Sequence, residues 1–158
     1  MRHTISVLVE NEFGVLSRVA GLFSGRGFNI ESLSVAETMD TTVSRMTVVT
    51  SGNDQIVEQI LKQLNKLISV IKVIDLTHVE TVERELVLVK VNAESETKPE
   101  VLRLVDIFRA KIVDVAPRCY TIEMTGDQGK VHAFLQMLRP IGIKEVVRTG
   151  RVAMARGM

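Results

Sequence analysis

The stretch Ile5-Ser6-Val7-Leu8-Val9-Glu10-Asn11-Glu12-Phe13-Gly14-Val15-Leu16 passes from a strand into a helix carrying Val15, Leu16, Val19, Ala20, Leu22 and Phe23. Ile5, Val7 and Val9 recur with the period of a strand, whereas the second set recurs with the period of a helix. Only Glu10 to Gly14 separate the two patterns. A helix start leaves N–H groups unpaired and ends in a positive dipole, and a glycine there lets a carboxylate approach the backbone closely. The loop contains no side chain suited to acid–base or nucleophilic work, so it points to sensing rather than turnover.

Outward from this loop, the first half reads as strand, helix, strand, strand, helix, strand. The strands are expected near Thr4 to Val9, Asn29 to Glu37, Thr42 to Thr50 and Val70 to Leu76, from β-branched enrichment and partial alternation. The first helix, Val15 to Ser24, ends at Gly25-Arg26-Gly27. The second follows Gly52-Asn53-Asp54, with Asn53 or Asp54 as its N-cap, and buries Ile56, Val57, Ile60, Leu61, Leu64 and Leu67. Met39-Asp40-Thr41 reads as a hairpin turn.

Residues His78 to Glu83 are polar and lack a sustained apolar period, so a boundary is expected there: a first domain over 1–77, a linker over 78–83 and a second domain over 84–158. The second half repeats the first in cruder form. Leu86 to Val91 open it, and helices near Pro99 to Phe108 and Gly129 to Leu138 alternate with strands near Lys111 to Val115, Cys119 to Thr125 and Ile143 to Thr149. Pro99 suits a first helical turn, and Pro140-Ile141-Gly142 ends the last helix. The expected class is α+β, a tandem pair of ferredoxin-like βαββαβ domains with antiparallel sheets. The tail from Arg148 to Gly157 reads either as a frayed end or as a segment ordered by a partner. Val35, Met46, Val48 and Val49 make the first sheet more apolar than one buried face requires, which predicts a homodimer through this half.

Composition narrows the function. The 158 residues are 46% hydrophobic, with 20 Lys and Arg against 19 Asp and Glu, a net charge of +1 that lacks the basic excess of a phosphate-backbone binder. Nucleic acid is therefore not expected as a partner. Cys119 is the sole cysteine, no segment reaches the roughly 18 apolar residues of a membrane span, and Met1 to Val9 do not form a signal peptide, so a cytoplasmic protein without membrane association is expected. His3, His78 and His132 have no metal-like spacing with one another or with Cys119, so no metal is expected. An acylphosphatase-like enzyme needs an arginine in the first loop, and an RNA-recognition module needs aromatic residues on its central strands. Neither requirement is met, because the loop has no arginine and Tyr120 is the sole aromatic residue on an expected strand. No catalytic residue is assigned.

A second turn complements the loop. Gly25-Arg26-Gly27-Phe28-Asn29-Ile30 reverses the chain, and Asn29 enters the second strand with a side chain that both donates and accepts. Gly14 and the helix start offer N–H donors for a carboxylate, Asn29 offers its amide, and Val15, Leu16 and Ile30 offer apolar walls. Asn29 also admits a purely local role in satisfying the turn. Taken together, the residues complement a small aliphatic amino acid.

These segments, Asn11 to Leu16 and Gly27-Phe28-Asn29-Ile30 in a βαββαβ order, resemble an ACT domain, an amino-acid-binding regulatory module. With the Arg-Gly-Phe-Asn-Ile segment and the Arg148-Thr149-Gly150 tail, the whole chain is similar to the small regulatory subunits of acetolactate synthase (acetohydroxyacid synthase). The resemblance implies a non-catalytic subunit that activates a catalytic large subunit. It also implies feedback inhibition by valine in the biosynthesis of valine, isoleucine and leucine. Thiamine diphosphate, Mg and FAD would belong to the large subunit, with no cofactor in this chain. The effector would lie between chains of a homodimer, with Asn11, Gly14, Val15 and Leu16 of one facing Asn29 and Ile30 of the other. Where the usual ACT loop often begins with Asp, this one has Asn11. The alternative is a stand-alone small enzyme or another amino-acid sensor on the same fold, and fold alone does not decide between them.

Overall fold

The computed structural model describes residues 2–157, and Met1 and Met158, the outer limits of the expected domains, lie outside the described residues. The chain forms two units, one of residues 2–82 joined by 151–157, the other of residues 83–150.

The first unit contains β1 (Arg2–Glu10), α1 (Val15–Gly25), β2 (Ile30–Glu37), β3 (Val43–Ser51), α2 (Asp54–Lys66) and β4 (Val70–Asp75). Its four-stranded antiparallel sheet has the order β2-β3-β1-β4. β1 pairs Ile5 with Val48 and Val7 with Met46, so these residues share a face, and the helices pack on it. That core joins Ile5, Val7, Val9, Met46 and Val48 to Val15, Val19 and Phe23 of α1 and Val57, Ile60 and Leu64 of α2. Asn53 caps α2 by accepting the Gln55 N–H at 2.7 Å. Ile56, expected in the core, is instead exposed, because it falls outside the i, i+3, i+7 stripe of Val57, Ile60 and Leu64.

The face away from the helices carries Thr4, Ser6, Thr47, Arg45, Ser32 and Ser34 beside Val49 and Leu8. Arg45 Nη1 donates to Ser6 Oγ at 3.2 Å across it. Two residues that suggested an apolar second face, Met46 and Val48, are used up in the helix-side core. The sheet has two outer edges in the described chain, β2, which pairs only with β3, and β4, which pairs only with β1.

The second unit repeats the plan with β5 (Thr81–Asn92), α3 (Lys98–Ile107), β6 (Lys111–Val115), β7 (Cys119–Gly126), α4 (Gln128–Leu138) and β8 (Ile143–Arg148), in the order β6-β7-β5-β8. Val87, Val89 and Val91 alternate into a core with Val101, Leu104, Ile122, Met124, Val131, Phe134 and Leu138. Asp127 caps α4 through the Lys130 N–H at 2.9 Å. The expected tandem βαββαβ fold is the observed one.

The tail is ordered by the chain itself rather than frayed. Residues Val152–Ala155 form β9, and the Arg156 N–H donates to the Glu80 carbonyl at 2.8 Å. Arg151 Nη1 donates to Thr4 Oγ1 at 3.1 Å, and Ala153 is buried. Residues 151–157 thus belong with the first unit, although they follow the second in sequence.

Gly52, in the turn before α2, is held by packing. A Cβ there would lie 1.5 Å from Phe28 Cε1, and Phe28 is buried. Gly52→Ala is expected to displace that ring and to destabilise the protein by about 1–3 kcal/mol, read from the urea midpoint at unchanged m-value. A neutral result would show that Phe28 repacks freely.

Candidate functional site

The loop between β1 and α1 is built so that the start of α1 stays open. Gly14 occupies the N-cap position at φ +85°, a left-handed conformation that side-chain-bearing residues rarely adopt, and no side chain caps the helix. The first i→i−4 bond runs from the Arg18 N–H to the Gly14 carbonyl at 3.2 Å, while Val15 N–H reaches the Glu12 carbonyl at 3.4 Å. The amides of Leu16 and Ser17 lie in the first turn without a carbonyl partner among the described residues. Asn53 and Asp127 supply side-chain caps to α2 and α4, whereas α1, like α3, lacks one, and at α1 the glycine leaves the positive end open to an anion.

Asn11 fixes this loop to the β2–β3 hairpin. Its Nδ2 donates to Glu37 Oε1 at 3.2 Å and to the Thr41 carbonyl at 3.0 Å, and its backbone N–H donates to the Thr42 carbonyl at 2.7 Å. Both amide hydrogens are engaged, leaving Oδ1 as the atom with acceptor capacity. An Asp here could not donate to Glu37, and the two carboxylates would repel. The hairpin is held in turn by Asp40, whose Oδ1 accepts from Thr42 Oγ1 at 2.7 Å and Thr42 N at 2.9 Å. The Thr42 hydroxyl, then its backbone N–H, hold the Asp40 carboxyl below its ordinary pKa.

The expected site residues divide into two groups. Asn11, Gly14, Val15 and Leu16 stand together at the Glu10 end of the sheet. Val15 turns its side chain into the core and leaves only its backbone at the loop, whereas Leu16 is 46% exposed and can form a wall. Asn29 and Ile30 stand at the opposite end: Ile30 pairs with Thr50, which pairs with His3, whereas the loop follows Glu10, which pairs with Val43. Seven residues of strand separate these levels, about 23 Å at ~3.3 Å per residue. Within one chain the two groups do not meet. Asn29 is exposed; its carbonyl accepts from Thr50 Oγ1 at 2.8 Å, while its side chain makes no hydrogen bond among the described residues.

Glu37 and Thr41, read from the sequence only as a strand end and part of a hairpin turn, belong to the loop's support; their distance from Asn11 in the chain leaves no periodic signal. Of the histidines, His3 is buried with Nε2 3.1 Å from Asp54 Oδ1, a geometry that makes no hydrogen bond. No group of three or more His, Cys, Asp or Glu among the described residues could hold a metal ion. No helix among the described residues is long and apolar enough to cross a membrane.

Because Asp40 has a depressed pKa in the folded state, its turn is supported above the ordinary aspartate value and loses that support as pH falls through the lowered one. In an acid titration followed by NMR, the Thr42 amide is expected to shift with a midpoint below that of an ordinary aspartate. A midpoint at or above that value would contradict the hydrogen-bonded turn.

Comparison with known proteins agrees with both units. A family described as "AHAS small subunit-like ACT domain" matches residues 5–72, and one described as "Small subunit of acetolactate synthase" matches residues 84–157. The "Probable acetolactate synthase small subunit" of Archaeoglobus fulgidus is 57% identical over 99% of this chain and 98% of its own length. The "Acetolactate synthase small subunit" of Haemophilus influenzae is 52% identical over 99% and 97%. The crystal structure of the acetolactate synthase small subunit from Thermotoga maritima has 43% identity and a TM-score of 0.90, covering 100% of this chain and 99% of that one. With an open α1 start in its first unit and this similarity along its whole length, the chain belongs to the acetolactate synthase small-subunit family and carries an N-terminal ACT domain.

Proposed function

We propose that this chain is the non-catalytic regulatory subunit of an acetolactate synthase: it activates the catalytic large subunit and binds valine between two of its own copies, imposing feedback inhibition. Thiamine diphosphate, Mg and FAD belong in this reading to the large subunit, and the holoenzyme works in the cytoplasm. The observation that carries the proposal is the division of the site between opposite ends of one sheet. β3 is antiparallel to both β1 and β2, so β1 and β2 run parallel and Asn29 starts β2 at the end far from Gly14. A second copy added antiparallel along β2's open edge brings its Asn29 beside Glu37, the residue that Asn11 holds. Each dimer then contains two pockets, each using one chain's loop and the other chain's Asn29 and Ile30.

In such a pocket the effector carboxylate meets the Leu16 and Ser17 amides at the start of α1. Asn11 Oδ1 accepts from the ammonium, as does the Asn29 carbonyl oxygen of the second copy. Leu16 and the second copy's Ile30 face the aliphatic side chain. Preference for valine over isoleucine or leucine rests on pocket volume, where one methylene is worth roughly 1–3 kcal/mol.

Gly14→Asp places a negative side chain at the mouth of the carboxylate site, in open space but on strained backbone. It is expected to abolish valine inhibition while retaining activation of the large subunit, a loss of the roughly 1–3 kcal/mol typical of such coupling. Unchanged inhibition would falsify the site. Mixed dimers of Gly14→Asp and Asn29→Ala chains contain one doubly altered pocket and one intact pocket. Calorimetry on them should recover one valine per dimer, with either parent alone binding far more weakly. Recovery of none, in dimers shown to be mixed, would place the effector within a single chain. The homodimer itself is checked by sedimentation, where a monomer throughout the micromolar range would exclude it.

A further inference from the structure

Phe13, Met39 and Ile68 are 102%, 103% and 95% exposed, whereas every other exposed large hydrophobic residue in the described chain is at 65% or less. All three lie at one end of the first unit: Phe13 between β1 and α1, Met39 in the β2–β3 turn, Ile68 between α2 and β4. Backbone bonds lock these connections together, from Asn11 N–H to the Thr42 carbonyl at 2.7 Å and from Glu10 N–H to the Ser69 carbonyl at 2.8 Å. Three apolar side chains are thus presented to water on a fixed frame, as anchors of an interface are.

A copy of this chain paired along β2 cannot cover all three. Ile68 adjoins β4, which lies three inter-strand spacings from β2, about 14 Å. Carboxylates stand beside the other two: Glu12 next to Phe13, Asp40 next to Met39, Glu37 on Asn11 and Glu10 at the root of the loop. Asp40 is held in its ionised form by Thr42. A second copy docked tip to tip would set these acids near their own equivalents. A surface complementary to the tip would offer apolar recesses bordered by Lys and Arg opposite Phe13 and Met39. Phe13 also shares its loop with Gly14, and a ligand shifts a partner's activity only through contacts that differ between its bound and free states.

We propose that this three-loop tip is the surface on which the catalytic large subunit docks, so that Phe13 reports effector occupancy directly to it. The proposal rests on the regulatory reading above, yet its test needs no valine. The cognate large subunit is titrated with this chain and the concentration giving half-maximal activation is measured. Phe13→Ser and Ile68→Ser are each expected to raise that concentration at least fivefold, and Glu12→Lys with Asp40→Lys to do the same. A rise below fivefold for both serine variants overturns the proposal. Ile68→Ser should still bind valine by calorimetry and remain a dimer by sedimentation; loss of the dimer would assign the tip to a second copy and overturn it equally. Failure of the valine reading would appear separately, as absence of valine heat in the unaltered chain with the activation titration intact.

Discussion

The direction of β3 is the constraint on which the rest depends. Pairing antiparallel with both β1 and β2, it makes those two strands parallel and sets the start of β2 a full strand length from the end of β1. An anion-receiving helix start and an amide-bearing turn, which look like one pocket when read along the chain, become two half-sites facing away from each other. In the dimer proposed above, an antiparallel copy along the outer edge of β2 supplies the complement that each lacks. The same sheet consigns Met46 and Val48 to the helix side and mixes hydroxyls and Arg45 with Val49, Leu8 and Ile74 on the other. Association through an edge, with backbone bonds setting the register, therefore fits this chain better than association through an apolar face.

The loop before α1 shows how binding capacity is kept available. A side-chain cap would satisfy the first-turn amides and close the site, as Asn53 does for α2. Gly14 provides the left-handed turn and no competing acceptor. Asn11 then acts as a strut, since its two amide hydrogens join the loop to Glu37 and Thr41. The amide that departs from the usual acidic residue of such loops is what lets the loop and the hairpin share a carboxylate at Glu37. An ammonium would meet a neutral oxygen at Asn11 rather than a charged one, and its attraction would come from the neighbouring acids at longer range.

Much of this was legible beforehand. The alternation of Ile5, Val7 and Val9, the stripe of Val57, Ile60 and Leu64, and the glycine and proline punctuation placed the six elements of each unit to within a residue or two, except that β5 begins at Thr81, inside the expected linker, rather than at Leu86. These are local signals, carried by neighbours a few positions apart. The loop at Gly14 was legible for the same reason, since a glycine between a strand and a helix has a local meaning. Ile56 was misjudged because an apolar residue beside a helical stripe reads like one in it until the rotation of the helix on its sheet is known. The tail was ambiguous because its partners, Glu80 and Thr4, lie far back in the chain.

By itself, then, the sequence determined the order of elements, the two βαββαβ units and an uncapped helix start without catalytic side chains. Periodicity and turn chemistry act over a few residues and need no knowledge of the whole. Only the tertiary structure decided that Asn29 and Gly14 stand at opposite ends of the sheet, that Asn11 is tied to Glu37, that residues 151–157 return to the first unit, and that Phe13, Met39 and Ile68 gather at one tip. Each of these depends on strand direction and register, which are set by hydrogen bonds between segments remote in the chain and leave no periodic mark in either of them.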